Sequence, residues 1–460
     1  MNTVVFETLG CKLNQSESEA AAAAFSKSGW NVLQGANSTY NGILPCLFIL
    51  STCTVTSKAE QKARRVIRNI LKSNPQCVLI VTGCYAQLNK TEIEALDKGC
   101  SLCGTNQKRL FVLAGKQKNL LLALPEFISQ TESNGTIKNS IESFFNAPHA
   151  DPGAFADPQC PSFHSRAFLK IQDGCDNSCA YCRIHLARGK SISLDPQTIL
   201  ERLQKLEGSG FCEAVLSGVN ICQYRSRLES GESLNLTGLI NFLVTGTSTI
   251  ALRLSSLDPN FLLQDEDFYP EAAHPRVRPH FHLSVQSLSD PVLARMNRSY
   301  NAETVMTAVK KLRQIKDDPF LACDIIAGFP GETDADFEQT LSLCQEADFS
   351  WIHVFPFSKR PGTAAFNFPH QVQEKIAGIR LQKLTVLANE GKKRYIVRWI
   401  GKEVDAIRIG GETEDGWDAL SGNYLQLSIK KQKPKNDKAI LPRIGEAFRC
   451  RIDTSMLQGI

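Results

Sequence analysis

The sequence predicts an α/β protein with three folded parts: an N-terminal domain built on a parallel sheet, a central partial barrel of six βα units, and a small C-terminal β-barrel. Three observations predict this class. Apolar or β-branched runs alternate with helical patterns over about the first 110 residues, and the alternation resumes over a longer span from about residue 165. From about residue 393 the chain changes to short strand patterns separated by turn residues. Alternation of strand and helix indicates parallel sheets, and 460 residues accommodate about three domains.

The predicted boundaries lie where the pattern changes. A polar stretch followed by a proline-rich stretch separates the two alternating parts, and this composition indicates a linker. We therefore expect an α/β domain over 1–125, a linker over 126–160, the partial barrel over 161–392 and the small β-barrel over 393–460.

In the N-terminal part, three strand patterns are each followed directly by a cysteine. Cys11 follows VVFETLG, Cys53 follows LFILST and Cys84 follows VLIVTG. The carboxyl ends of parallel strands share one edge of a sheet, so these cysteines could meet in space. Each could instead be a buried thiol beside its own strand. The repeated placement at the same topological position favours a shared site.

The composition and the start of the chain exclude two classes of protein. No stretch approaches the ~20 apolar residues of a membrane span, and the first residues lack the basic flank and apolar core of a signal peptide. We therefore expect a cytoplasmic protein without a membrane partner. The 16 cysteines do not describe a small secreted disulfide scaffold, so clusters among them indicate metal binding or catalysis. Cys100 and Cys103 form a C-x2-C pair with no second pair nearby, and we predict a structural role for them.

The central part opens on three cysteines that directly follow its first strand pattern. Cys175, Cys179 and Cys182 stand at C-x3-C-x2-C spacing, and His185 follows three residues later. Two kinds of site fit. One is a closed zinc site of three cysteines and one histidine. The other is a [4Fe-4S] cluster held by three thiolates instead of four, which leaves one iron open to a small molecule.

Six strand patterns define the predicted barrel, and helix start signals lie between them. Asp195 followed by Pro196 is typical of an N-cap with proline at the first helical position. Thr333 and Asp336 have the spacing of a capping box. In such a barrel the functional groups lie at the carboxyl ends of the strands. The six patterns are AFLKIQ, CEAVLSG, IALRLSS, FHLSVQS, FLACDIIAGFPG and WIHVFPF.

The C-terminal part carries an excess of positive charge, with 13 Lys and Arg against 9 Asp and Glu over 393–460. Its densest basic run is KKQKPKNDK from Lys430, which is either a solvated loop or a binding surface. Small β-barrels with a basic loop often bind oligonucleotides. Four strand patterns build the predicted barrel: EVDAIRI, GWDAL, NYLQLSI and AFRCRI.

The cysteine loop, with Tyr181 before its third cysteine, resembles the hallmark of the radical S-adenosylmethionine superfamily. The stretches TLGCKLNQSESE, STCTVTSKAEQKARRVIR and VTGCYAQ resemble the N-terminal domain of methylthiotransferases within that superfamily. The resemblance spans essentially the whole chain, and the C-terminal part resembles the tRNA-binding TRAM domain. The closest similarity is to the enzymes that act on threonylcarbamoyladenosine in tRNA, through FLKIQDGCDNSCAYC, ARG at 187–189, LSGVNI, LRLSSLDP, ARMNRSYNAETV, DIIAGFPGET and HVFPFSKRPGTAA.

The resemblance implies a chemistry, its cofactors and its partners. It implies that S-adenosylmethionine supplies a radical and a methyl group, so that a methylthio group replaces the hydrogen on carbon 2 of N6-threonylcarbamoyladenosine at position 37 of the tRNA anticodon loop. An electron donor such as flavodoxin or ferredoxin and an unidentified sulfur donor complete the scheme. Two [4Fe-4S] clusters are implied, one on Cys175, Cys179 and Cys182 for the radical and one on Cys11, Cys53 and Cys84 for sulfur.

Six residues are candidates for contacts with S-adenosylmethionine. Tyr181 lies in the cysteine loop, and the other five lie at or near barrel strand ends, where each could instead be a structural turn residue. Arg183 and His185 depart from a family pattern that is usually apolar with a proline, and Leu288 stands where the family usually has glycine. A cation at Arg183 could shift a cluster potential or contact a phosphate, or it could be a partly exposed side chain. The six candidates are Tyr181, Gly218, Asn220, Ser256, Gln286 and Arg298.

Other functions stay open on the sequence alone. Within the same enzyme class, the alternatives are methylthiolation of isopentenyladenosine in tRNA or of an aspartate in a ribosomal protein. From another class, the alternative is a zinc-stabilised RNA-binding protein without catalysis. A basic stripe on the second predicted helix is either solvated or in contact with tRNA, and it comprises Lys58, Lys62, Arg65, Arg68 and Lys72.

Overall fold

The chain forms two compact units in a computed structural model. The first unit takes in the described residues before 164 together with Asp173–Asp176 and Cys182–Ser191, and the second takes in the remainder. Two short pieces of the central cysteine loop therefore belong to the first unit. The structure describes residues 2–35, 45–97, 109–114, 120–131, 136–147, 155, 165–412, 416–430 and 442–457.

A five-stranded parallel sheet is the centre of the first unit. Its strands are β1 Thr3–Thr8, β2 Asn31–Gln34, β3 Leu47–Thr52, β4 Val78–Gly83 and β5 Leu110–Val112. They are ordered β2-β1-β3-β4-β5, and the three strands predicted from the sequence are confirmed as β1, β3 and β4. Apolar side chains cover both faces of the sheet, as expected for parallel strands with near-continuous hydrophobic sequences. The helices beside the strands are α1 Lys12–Lys27, α2 Ser57–Ser73, α3 Cys84–Leu88 and α4 Lys90–Glu94.

Two further helices, α5 Leu124–Thr131 and α6 Ile137–Asn146, lie in the stretch where the sequence predicts a linker over 126–160. They pack through Leu124, Ile128 and Phe144 into the core on one face of the sheet. Their apolar residues recur at helical spacing, but polar residues and a glycine around them hide that period. Over these described residues the chain differs from a linker, since it covers the sheet.

The second unit contains the six predicted barrel strands, and all of them are confirmed. The strands are β6 Ala167–Lys170, β9 Glu213–Ser217, β12 Ala251–Leu254, β13 His280–Gln286, β14 Phe320–Ala327 and β15 Trp351–Pro356. They form two three-stranded parallel sheets, ordered β12-β9-β6 and β13-β14-β15. Isolated parallel bridges from Leu252 to Val277 and from Leu257 to Leu283 connect the two sheets. The chain is therefore an α/β protein with a partial barrel.

Two helices of the second unit begin where the sequence signals predict. Asp195 caps its helix by accepting a hydrogen bond from the Thr198 amide at 2.8 Å, and Thr333 and Asp336 form a complete capping box. The helices are α8 Pro196–Gly208, α9 Leu236–Thr245, α10 Pro259–Gln264, α11 Phe268–Ala273, α12 Asp290–Arg295, α13 Ala302–Ile315, α14 Asp334–Glu346 and α15 Glu374–Trp399. Shorter elements of the second unit are β8 Ile192–Ser193, β10 Ser226–Arg227 and β11 Ser233–Leu234. The short helix α7 Ile184–Arg188 belongs to the first unit, and β7 Gln172–Asp173 has one residue in each unit.

The C-terminal strands form a four-stranded antiparallel sheet. The strands are β16 Glu403–Glu412, β17 Gly416–Ser421, β18 Gln426–Lys430 and β19 Ala447–Arg451, and their order is β18-β17-β16-β19. This sheet packs on α15 and β14 through a core that includes Trp399, Trp417 and Phe320. The four predicted strands are confirmed, while closure into a TRAM-type barrel stays a prediction. Of the basic run from Lys430, only the first residue lies within the described ranges.

Two predictions concern features outside these sheets. None of the helices within the described ranges combines the length and the apolar character that crossing a membrane requires. The C-x2-C pair of Cys100 and Cys103 lies outside the described residues.

Candidate active site

The three N-terminal cysteines lie at one edge of the first unit's sheet. Cys11 directly precedes α1, Cys53 follows β3, and Cys84 is the first residue of α3 after β4. The strands β1, β3 and β4 are direct neighbours in parallel register, so their carboxyl ends are aligned. The topological argument from the sequence therefore places these cysteines correctly.

Close backbone packing brings the loops of this edge together. A Cβ atom on Gly10 would lie 3.3 Å from the Cβ of Cys53 and 2.7 Å from Nδ2 of Asn14, so only glycine fits before Cys11. Asn14 in turn donates a hydrogen bond to the Thr52 carbonyl at 2.9 Å. The loop that carries Cys11 is thus held directly against the loop that carries Cys53.

The thiols are close enough to influence one another electrostatically. The pKa of Cys53 is raised to about 12, chiefly by burial and also by the neighbouring thiols of Cys11 and Cys84, against the opposing effects of a backbone hydrogen bond from Val55 and of Arg188. Burial also raises the pKa of Cys84, again against the opposing charge of Arg188. Thiolates at such a site need a compensating positive charge, and coordination to a metal provides one because it deprotonates the thiol outright.

We call Cys11, Cys53 and Cys84 the auxiliary cysteines, and their chemistry fits an iron-sulfur cluster. Within the described ranges, no three or more His, Cys, Asp and Glu side chains are grouped so that they could hold a metal ion. A four-iron cluster has another requirement, since each thiolate binds a different iron atom. Three thiolates converging from three strand ends suit such a cluster better than they suit a single ion.

Arg188, at the end of α7, directly contacts one auxiliary cysteine, Cys84, and nothing in the sequence beyond the ARG resemblance predicted this role. Its Nε donates a hydrogen bond to Sγ of Cys84 at 3.3 Å. Its Nη1 donates to Glu17 and to Asp173, each at 2.9 Å, and its Nη2 donates to Asn14 at 2.9 Å and to Glu17 at 3.1 Å. The side chain is 4% exposed, so this network is buried.

The C-x3-C-x2-C loop is shaped by contacts on each side of it. In the first unit, the Cys175 amide donates to the Gly189 carbonyl at 3.0 Å, and the Ile184 amide donates to Sγ of Cys182 at 3.4 Å. Gly174 has a φ of 71°, and a Cβ there would overlap the Lys190 carbonyl. Glycine before the first cysteine is therefore required by the turn.

Cys179 belongs to the second unit, where Arg298 holds it. Nη1 of Arg298 donates to Sγ of Cys179 at 3.2 Å, and Nη2 donates to Asp258 at 3.1 Å. The neighbouring Tyr181 packs edge-on against Phe329, with ring centroids 6.5 Å apart. In the structure the donors of Arg298 also serve the Tyr300 hydroxyl and the Ser284 carbonyl, and its predicted contact with S-adenosylmethionine stays a prediction.

The other candidate contact residues all lie at the carboxyl ends of barrel strands, as predicted. Gly218 and Asn220 follow β9, and the Asn220 amide donates to Oε1 of Gln172 at 3.0 Å. Gln286 ends β13 with a φ of 66° at a register shift. Ser256 lies after β12, and its Oγ is 3.5 Å from Nδ1 of His282. Their contact with S-adenosylmethionine stays a prediction.

The barrel also carries a polar cluster that sequence reasoning missed. Nε2 of His282 lies 3.0 Å from Oδ1 of Asp324, and the ring of His353 lies 5.2 Å from that of His282. Asp324 interrupts the otherwise buried strand β14, and Asp324 and His353 are register partners. The signal in the sequence was one histidine or aspartate within each of three consecutive strand patterns.

The residues that depart from the family pattern have definite surroundings. Nη1 of Arg183 lies 3.4 Å from Oε1 of Glu60 in a buried ion pair, so Arg183 is not the partly exposed side chain that one interpretation expected. Nδ1 of His185 is buried without a hydrogen-bond partner among the described residues. Leu288 is fully buried, and its φ is not positive, so the backbone there does not demand glycine.

Comparison with known proteins agrees with this architecture. Residues 3–104 match the model of uncharacterized protein family UPF0004, and residues 169–344 match the radical SAM superfamily. A solved structure of the radical S-adenosylmethionine methyltransferase TsrM from Kitasatospora setae, with cobalamin and a [4Fe-4S] cluster bound, is 14% identical, with 79% of this chain and 77% of that chain covered and a TM-score of 0.50. At that identity the likeness supports the fold alone.

Two curated relatives cover nearly the whole chain, and both are named threonylcarbamoyladenosine tRNA methylthiotransferase MtaB. The relative from Treponema pallidum is 40% identical, with 93% of this chain and 95% of the relative covered. The relative from Thermotoga maritima is 37% identical, with 100% of this chain and 96% of the relative covered. The chain therefore belongs to the threonylcarbamoyladenosine tRNA methylthiotransferase family of radical S-adenosylmethionine enzymes.

Proposed function

We propose that this protein converts N6-threonylcarbamoyladenosine at position 37 of tRNA to its 2-methylthio derivative, using S-adenosylmethionine and two [4Fe-4S] clusters. The observation that carries the proposal is the convergence of Cys11, Cys53 and Cys84 at one sheet edge, in a chain that also has the C-x3-C-x2-C loop. Two separate three-cysteine sets match a reaction that needs both a radical source and a sulfur source. The names of the two curated relatives supply the substrate.

The cysteine sets have different roles in this proposal. Cys175, Cys179 and Cys182 would hold the cluster at which S-adenosylmethionine binds, and the auxiliary cysteines would hold the second cluster, on the sulfur-supplying side. A bound cluster with an open iron supplies the one-electron chemistry that removal of an aromatic ring hydrogen demands.

This chain's own residues keep the sulfurs in place. Arg298 donates to the Cys179 sulfur. Burial alone would lower the pKa of Arg298, but Tyr300, Tyr181, Asp258 and Cys179 outweigh burial and raise it above the ordinary value. A donor with a fixed positive charge stabilises a thiolate ligand, and hydrogen bonds to ligand sulfur are one of the means by which proteins set cluster potentials.

The substrate and the partners follow from the same proposal. A base must leave its stack to reach a buried reactive centre, and this is easiest for a nucleotide of a single-stranded loop. The exposed basic stripe on α2 and the C-terminal sheet are the candidate tRNA-binding surfaces. We also propose a cytoplasmic location and a small redox protein such as flavodoxin or ferredoxin as the electron donor.

Anaerobic reconstitution tests the cofactor assignment. The chain should bind about eight irons, and replacing either cysteine set by alanine should leave about four. Cys77→Ala is the matched control, because Cys77 is a buried thiol of the same unit that lies before a strand instead of after it. Stoichiometric zinc, or only about four irons in the unaltered chain, would overturn the two-cluster assignment.

Nucleoside mass spectrometry tests the substrate. In cells that lack the protein, the 2-methylthio form of threonylcarbamoyladenosine should disappear from tRNA and return with the intact gene. Loss of the methylthio form of isopentenyladenosine instead would identify the alternative tRNA substrate. Unchanged nucleosides, with loss of a methylthio group from a ribosomal protein, would assign the aspartate substrate.

A further inference from the structure

One guanidinium contacts a sulfur of the auxiliary site. Arg188 reaches Sγ of Cys84, the carboxylates of Glu17 and Asp173, and the amide oxygen of Asn14. All four of these acceptor residues belong to the first unit, and the Arg188 side chain is 4% exposed. The only sulfur among these acceptors is that of a proposed cluster ligand.

The charges around the contact between Arg188 and Cys84 affect the reduction potential of a cluster bound at this site. Arg188 contributes one positive charge against the two negative charges of the Glu17 and Asp173 carboxylates. Reduction of an iron-sulfur cluster adds one negative charge to it. A cation that donates to a ligand sulfur stabilises the reduced form, and nearby carboxylates destabilise it.

A purely structural role would not require the sulfur contact. The two carboxylates and the amide of Asn14 account for four of the five hydrogen bonds, and they would pair a buried arginine without Cys84. The remaining N–H, on Nε, is directed at Cys84 at 3.3 Å, within the range of a hydrogen bond to sulfur.

We propose that Arg188 is a positioning residue of the auxiliary site, which orients the Cys84 sulfur and raises the reduction potential of the cluster bound there. The inference rests on the proposed assignment of that cluster to Cys11, Cys53 and Cys84. Glu17 acts with the opposite sign, because its carboxylate disfavours the added electron.

The test uses a full-length chain in which Cys175, Cys179 and Cys182 are alanine, so that only the auxiliary cluster assembles. After reconstitution, dithionite delivers one electron to each cluster during a potentiometric titration, and electron paramagnetic resonance measures the reduced fraction. Arg188→Gln should keep about four irons, and its ratio of reduced to oxidised cluster at a fixed potential should fall about tenfold, which is about 59 mV for a one-electron couple. Glu17→Gln should shift the potential upward.

Controls separate this effect from a general loss of structure. Arg64→Met removes another guanidinium of the first unit, one that contacts the Tyr85 hydroxyl at 3.0 Å and Glu92 at 2.9 Å, and it should leave the potential unchanged. An unchanged potential in Arg188→Gln with full iron would overturn the inference. If Arg188→Gln binds no iron, Glu17→Gln decides the question: an upward shift of the potential supports the inference, and an unchanged potential overturns it. Failure of the alanine background itself to bind iron would refute the auxiliary site, a separate outcome.

Discussion

A buried ion cluster in the barrel makes the stability of the second unit depend on one carboxylate. Glu213, the first residue of β9, has a side chain that is 1% exposed. It accepts hydrogen bonds from Arg253 at 2.7 and 2.9 Å, from Arg278 at 3.0 Å and from Arg166 at 3.4 Å. Arg253 is itself fully buried and also donates to the Ser421 carbonyl of the C-terminal sheet at 3.3 Å.

The contribution of Glu213 to the free energy of unfolding follows from the pKa of its carboxyl group. Burial alone raises the pKa of Glu213, but the guanidinium groups, Arg253 foremost, outweigh burial and lower it from 4.5 to about 2. The difference corresponds to about 3 kcal/mol that favours the fold. Because the folded pKa is depressed, this contribution is fully present above about pH 4.5 and is lost as the pH falls towards 2. Glu213→Gln leaves Arg253 buried without its partner, which costs about 3–5 kcal/mol.

Urea unfolding followed by tryptophan fluorescence measures this cost. Trp351, Trp399 and Trp417 lie in the second unit, and a Trp30→Phe background removes the signal of the first. Glu338→Gln is the control, because Glu338 pairs with Lys383 at an exposed site and should cost at most about 1 kcal/mol. A Glu213→Gln variant that unfolds within about 1 kcal/mol of its parent would refute the reasoning, and so would an unaltered pH dependence below about pH 4.5.

Three further predictions concern the proposed active site. Cys53→Ala should abolish methylthiolation while cleavage of S-adenosylmethionine persists; joint loss of both activities would argue against separate clusters. His185→Ala should retain all of its iron, whereas release of metal would support the closed zinc site. Lys62→Glu with Arg65→Glu should weaken tRNA binding, and the slope of log affinity against log salt should become shallower by about 0.7 for each phosphate that the two side chains neutralise. Unchanged binding at every salt concentration would show that this part of the α2 stripe is only solvated.

The sequence predicted those parts of the fold that are formed by residues close together in the chain, namely strands and helix caps. The strand patterns before Cys11, Cys53 and Cys84 predicted both the strands and the shared edge, because the carboxyl ends of parallel strands coincide. Caps at Asp195 and Thr333 were visible because side chain and amide are three residues apart. Such features need no knowledge of distant contacts.

Contacts between distant residues could not be predicted in the same way. Arg188 and Cys84 are 104 positions apart in the sequence, and Glu213 and Arg253 are 40 apart. Periodicity assigns a residue to a face of a helix or strand, but it does not name the partner on the other element. The two helices in the predicted linker were missed for a related reason. Their apolar residues can be recognised as core residues only once the sheet that they cover is known.

Arg183 shows how one partner changes the interpretation of a residue. As an isolated departure it suggested a phosphate contact or an effect on a cluster potential, yet the structure pairs it with Glu60. Glu60 also accepts a hydrogen bond from Thr54, the residue after Cys53, at 2.5 Å. It is the single acidic residue in the 17 positions of α2, whose exposed face is basic. A buried cation is tolerated only with its counter-charge. Replacing Glu60 alone should therefore displace the loop that carries Cys53 and the loop that carries Cys182. Replacing Glu60 together with Arg183 should displace these two loops less.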